Sequence, residues 1–143
     1  MRNFCKKIVT FGPVGYRKGS GSWATLCALP LVWQVSSTVS LSCLVIALFV
    51  AALVISFPLF DAHDPREIVA DEAIGFVVAM FGITNAGWTY LLGFALFRFF
   101  DIVKPCGIRS VERLPGVLGI VMDDVVAGLY TNLLLRLCTC YFL

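Results

Sequence analysis

Asp123 and Asp124 stand side by side, with apolar residues before them from Val117 and after them to Ala127. A carboxylate inside an apolar helix is expensive, roughly 2.5 kcal/mol or more at a membrane centre, so such acids point to function. Asp71-Glu72 and Asp101 add three more carboxylates, and Arg98, Lys104, Arg109 and Arg113 supply cations nearby in sequence. Five carboxylates brought to one place would repel one another unless a cation neutralised them. Ligands that are all oxygen suit Mg²⁺, which commonly bridges carboxylates to a substrate phosphate. Guanidinium and ammonium groups bind phosphate oxygens, Arg in bidentate fashion. Carboxylates, a divalent metal and cations are the equipment of phosphoryl transfer or hydrolysis.

On this reading Asp71, Glu72, Asp101, Asp123 and Asp124 divide Mg²⁺ binding and catalysis among them. Arg98 and Lys104 hold the phosphate, with Arg109 and Arg113 as an outer basic rim. Direct attack by water and an aspartyl-phosphate intermediate both fit these residues. Plainer readings stand beside these. Asp64 and Glu67 serve as a helix cap, Arg98 with Asp101 as an ion pair, and Asp71-Glu72 as interfacial charge at a helix start. His63 is the single histidine, and an interfacial histidine is commonly just solvated. Six cysteines follow no disulfide framework, and Cys138-x-Cys140 is a weak metal signal.

Helices must carry these groups together. No charged residue falls between Gly19 and Phe60, a stretch too long for one span of ~20 residues. A polar break at Gln34, Ser36, Ser37 and Thr38 divides it into a short segment, Trp23 to Val35, and a spanning helix, Val39 to Phe60. Asp64-Pro65 reads as an N-cap with proline at the first helical position, so a helix is expected from near Pro65 to near Ile83. Thr84-Asn85-Ala86-Gly87 is a turn signal, and a second arm follows from Trp88 through Arg98 to Pro105. In such a hairpin Asp71, Arg98 and Asp101 lie at similar depth, ~20–24 Å from the turn. The last helix starts near Val117 and places Asp123 about two turns in. Three helices thus bring the acids to one layer.

Composition sets the surroundings. Hydrophobic residues make up 59% of the 143 residues and charged residues 14%, with a mean hydropathy of +0.91. A soluble domain this small could not bury so much apolar surface. The expected fold is all-α: a polytopic membrane protein, a small bundle of about four to five transmembrane or half-spanning helices. Residues 1–143 form one integral-membrane domain, with 1–21 as a cytoplasmic amino-terminal segment and no cleaved signal peptide. Every Lys and Arg except Arg136 falls in the amino-terminal tail, the 61–72 segment or the 98–113 segment, which the positive-inside rule puts on the cytoplasmic side. The net charge of +2 and the lack of a basic stripe interleaved with aromatics exclude a nucleic-acid partner. A small membrane transporter or channel with an acid-lined cation path is the rival reading, and it leaves the clustered basic residues without a purpose.

Three blocks resemble the bacterial phosphatidylglycerophosphatase A family. They are His63-Asp64-x-x-x-Ile68-Val69-x-Asp71-Glu72-x-x-Gly75; Phe97-Arg98-x-x-Asp101-x-x-Lys104-Pro105-x-x-Ile108-Arg109, followed by Arg113; and Gly119-Ile120-x-x-Asp123-Asp124-x-x-Ala127-Gly128. A weaker block runs from Gly21-Ser22 to Pro30. Ser20, Ala70 and Cys106-Gly107 depart from the family's usual residues, but no charged motif position is lost. The resemblance implies a Mg²⁺-dependent phosphomonoesterase acting on the phospholipid phosphatidylglycerophosphate in an inner membrane, multi-pass, with its site on the cytoplasmic side. It implies no obligate protein partner.

Overall fold

The structure is a computed structural model that describes residues 2–16, 18–35, 39–56, 58, 68–83, 87–105 and 107–142. Every regular element among them is helical: α1 (Arg2–Val9), a 3-10 turn (Val14–Tyr16), α2 (Ser20–Val35), α3 (Val39–Ser56), α4 (Ala70–Met80), α5 (Gly87–Val103), α6 (Ile108–Val111) and α7 (Val117–Phe142).

The centre is α4, which touches α2, α3, α5 and α7. Ala70, Ala73, Ile74, Phe76, Val77, Ala79 and Met80 are all buried, so this helix is apolar around nearly its whole circumference, as a core helix must be. Small residues let α7 approach it closely. A Cβ on Gly75 would come 2.6 Å from the Asp124 carbonyl oxygen, and one on Gly128 would collide with the Gly75 carbonyl. Backbone-to-backbone packing of this kind gains dispersion contacts that larger side chains would prevent. Across α5, Phe97 packs on Phe76 with ring centroids 5.9 Å apart.

Several element boundaries differ from expectation. The helix expected from Pro65 begins at Ala70, because Ile68 and Val69 are not helical. Val69 donates its N–H to the Val9 carbonyl at 2.9 Å, which ties this strand of chain to the end of α1 and holds it outside helical geometry. The proposed Asp64–Glu67 cap, His63 and the 84–86 turn lie outside the described residues. α3 is described as far as Ser56, and of the residues expected to extend it to Phe60 only Pro58, which is not α-helical, is among the described ones. Proline and the residue before it both disfavour a continuing helix. α1 and α6 were not anticipated. Both are short, with 8 and 4 residues, below the length at which periodicity is readable.

Among the described residues only one stretch, Val117–Cys140 of α7, is long and apolar enough to cross a membrane. The apolar part of α3, Ser42–Ile55, is shorter. The bundle is all-helical as expected, with one full-length apolar helix where several spans were anticipated. Large apolar side chains are nonetheless widely exposed, among them Leu44, Leu48, Leu91, Leu118, Leu129 and Leu133.

Candidate active site

The first turn of α4 carries Asp71 and Glu72, the last turns of α5 carry Arg98 and Asp101, and the second turn of α7 carries Asp123 and Asp124. α4 and α7 run in the same direction from this end, and α5 returns towards it. The acidic groups therefore come from far-apart stretches of chain to one end of the bundle.

Two cations are woven between the acids. Arg98 Nη1 pairs with Asp101 Oδ2 at 2.7 Å and with Glu72 Oε1 at 3.4 Å. Lys104 Nζ donates to Asp123 Oδ2 at 2.6 Å and also reaches Glu112 Oε1 at 2.9 Å. Burial alone would lower the Lys104 ammonium, but its hydrogen bonds to Asp123 and Glu112 outweigh that and hold it above the usual lysine range. Lys104 follows α5 with a left-handed backbone, φ 49°, and its N–H donates to the Phe100 carbonyl at 2.8 Å. This is the helix-ending position that glycine normally takes. A lysine there costs about 1 kcal/mol or more, a strain tolerated where the side chain's placement matters.

A cavity of about 740 Å³ opens onto this cluster, lined by Asp71, Glu72, Asp101, Lys104, Asp123 and Asp124 together with Gly19–Gly21 and residues 112–116. Asp124 is 4% exposed and lies within electrostatic reach of Asp71, Asp101, Asp123 and Glu72. Asp71 and Asp124 have no ion-pair partner among the described residues. Asp124 Oδ1 and Glu72 Oε2 are buried without a hydrogen-bond partner among the described residues. Orphaned buried carboxylate oxygens are costly, and an all-oxygen set of this kind suits a hard cation such as Mg²⁺. Among the described residues no three of these side chains already converge as a closed ligand set. Arg98 and Lys104 instead hold Glu72, Asp101 and Asp123.

Not every anticipated residue arrives. Arg113 lines the cavity, whereas Arg109 is exposed on α6 and does not. Gly107, with φ 88°, starts α6 so that Ile108 enters the core, and the helical turn then directs Arg109 outwards. Arg98 serves the two carboxylates rather than the cavity wall. Cys138 and Cys140 are free thiols.

Two features of the site went unread in the sequence. Glu112 is a second anchor for Lys104; its signal is a lone acid within a basic loop. Gly19–Gly21 bring the start of α2 against the acids, and a Cβ on Gly21 would collide with the Glu72 carboxylate. That contact is visible in sequence only as a glycine-serine pair before an apolar run.

These features define a small helical protein whose clustered carboxylates are only partly compensated among the described residues, with a cationic edge on one cavity, the chemistry of a phosphate-handling enzyme. The family model for phosphatidylglycerophosphatase A matches residues 7–139, and the chain belongs to that family; it is a phosphatase. It is similar to the phosphatidylglycerophosphatase A of Haemophilus influenzae, with 33% identity over 151 residues covering 90% of each chain. It is also similar to that of Escherichia coli, with 32% identity over 117 residues, 76% of this chain and 67% of the relative. A Bacteroides thetaiotaomicron protein provisionally named phosphatidylinositol-3-phosphatase shares 41% identity over 76 residues; the match spans 51% of this chain and only about half, 48%, of the relative. No solved structure matches the chain.

Proposed function

We propose that this chain hydrolyses the terminal phosphate monoester of phosphatidylglycerophosphate, giving phosphatidylglycerol and inorganic phosphate, with Mg²⁺ as its metal. The carrying observation is the pair Asp71, partly buried, and Asp124, buried, neither with a counter-ion among the described residues, at a cavity that Lys104 and Arg113 also line. The family and the names of two of its relatives support the substrate. A multi-pass position in the inner membrane, with the cavity at the cytoplasmic face, is supported by the apolar α7, the exposed leucines and the placing of the basic residues.

In this reading Lys104 and Arg113 bind the phosphate oxygens, while the lipid tails remain among the apolar helices. Arg98 holds Glu72 and Asp101 in place. Mg²⁺, held by Asp71 and Asp124 with Asp123, Glu72 and Asp101, would offset phosphate charge and acidify water. A carboxylate of this group takes a proton from water as its oxygen attacks phosphorus. The phosphorus–oxygen bond to glycerol breaks, and the released glycerol oxygen takes up a proton.

The test is the purified full chain in mixed micelles with phosphatidylglycerophosphate, scored for free phosphate with Mg²⁺ and with EDTA. Release that needs Mg²⁺ supports the proposal. A parallel arm with phosphatidylinositol 3-phosphate checks the headgroup. No release from either lipid would count against a lipid phosphatase, and cation flux in liposomes without release would return the acids to an ion path.

A further inference from the structure

At the far end of the bundle, in the mostly apolar second half of α7, where the Thr131 and Thr139 hydroxyls bond back to their own helix, stand Asn132 and Arg136. Both are turned onto the end of α4. Asn132 Nδ2 donates to the carbonyl oxygens of Ala79 and Phe81, each at 2.9 Å, and of Val78 at 3.3 Å. Arg136 Nη2 donates to the Phe81 oxygen at 3.0 Å, and its Nε donates to Asn132 Oδ1 at 2.8 Å. The last carbonyls of any helix lack partners within it; at the end of α4 Asn132 serves Val78 and Ala79, and with Arg136 the next residue, Phe81, while the Ile83 N–H serves Met80. Arg136 also orients the Asn132 amide, because it occupies the oxygen and so leaves the nitrogen facing α4.

The clamp lies on the same seam as the acids. Ala79 and Asn132 are 53 residues apart in sequence. The same interval separates Gly75 from Gly128, where the backbones nearly touch, and Asp71 from Asp124 at the cavity. On each helix these three positions repeat every four residues, which places them on one face. Glycine and alanine set how close the helices come, but apolar contacts have no direction and resist a small slide or roll weakly. Hydrogen bonds to the carbonyls of Val78, Ala79 and Phe81 resist both.

From this we infer that Asn132, oriented by Arg136, is a positioning residue that fixes the register and roll of α4 against α7, and so holds Asp71 opposite Asp124. It touches neither cavity nor substrate. The inference rests on the phosphatase reading for its consequence, but its geometry is independent of it. Misplacing a reacting group by ~1 Å can lower a rate on the order of 10²-fold.

The experiment has two readouts on the full chain. In a background with the native cysteines replaced, Asp71→Cys with Asp124→Cys is oxidised, and the crosslinking rate is compared with and without Asn132→Leu. Separately, kcat and KM for phosphatidylglycerophosphate are measured in Asn132→Leu and in Arg136→Ala. Arg136 is exposed, so its variant keeps the test open if the first fails to fold. The expected result is crosslinking slowed about tenfold in Asn132→Leu and kcat lowered at least tenfold in both variants, with KM within twofold. The KM stays because Lys104 and Arg113, which bind phosphate, are not on α4. Crosslinking at the unaltered rate overturns the inference whatever happens to turnover, as does a rise in KM with kcat unchanged. If the unaltered chain releases no phosphate, the lipid phosphatase reading fails while crosslinking still decides the register.

Discussion

Gly75→Ala adds one methyl group at the point where α4 and α7 are closest. By helix propensity alone alanine should stabilise α4 by about 1 kcal/mol. The new Cβ would lie 2.6 Å from the Asp124 carbonyl oxygen and 2.8 Å from two ring carbons of Phe97. Ordinary contact begins near ~3.5 Å, so the shortfall against the backbone is about 0.9 Å. Neither neighbour yields easily. The oxygen belongs to a helix, and Phe97 is fully buried against Phe76. The helices must part, at an overpacking cost of about 1–3 kcal/mol. The net destabilisation is then up to about 2 kcal/mol, which at its upper end would lower the thermal midpoint by on the order of 5 °C. Turnover should suffer more than stability, because the displaced carbonyl is that of Asp124 itself; a shift approaching 1 Å predicts a fall of roughly 10- to 100-fold. The assay is phosphate release at 25 °C beside thermal unfolding in detergent. A raised midpoint with full turnover would mean that α4 and α7 do not meet at Gly75, and would refute the packing argument.

Asp123→Asn and Asp124→Asn should each lower phosphate release by on the order of 10²–10⁴-fold while circular dichroism shows unchanged helix content; retained turnover in both would remove the acids from the chemistry. Glu112→Gln frees Lys104 from its half-exposed partner and should lower KM by up to about fivefold, the range of an exposed ion pair; a raised KM would show that Glu112 assists binding. Lys104, raised above its usual range, keeps its pairing at every pH below about 10.4 and loses it only as pH climbs through the higher folded value. Lys104→Arg, permanently charged, should therefore give the same alkaline pH profile as the unaltered chain up to about pH 10. Divergence at pH 8–9 would mean that Lys104 titrates there.

Much of the site is legible in the sequence because charges are conspicuous where apolar residues surround them. Asp123 and Asp124 interrupt a helix that has no other acid, and the three-residue step from Arg98 to Asp101 puts both on one helix face. Counting residues along two arms was enough to set Asp71 and Glu72 level with Arg98, and Arg98 does reach Glu72. The same reasoning misplaced the start of α4. An Asp-Pro cap signal describes local preference, whereas Val69 is held by a hydrogen bond to Val9, a residue remote in sequence.

Local chemistry and periodicity thus determined an all-helical chain, its apolar character and the residue types at its site, since each depends on neighbours within a turn or two. Tertiary structure alone decided which acids keep a counter-ion and which are left bare. Lys104 goes to Asp123 and Glu112, Arg98 to Glu72 and Asp101, and Asp71 and Asp124 receive none among the described residues. It also decided that Arg109 faces away while Asn132 and Arg136 close the far end of α4. Pairing across helices depends on their separation and roll to within about an ångström. Separation is set by packing of whole faces, Gly75 on Gly128 foremost, and roll by directional contacts between remote residues, and no short stretch of sequence encodes either.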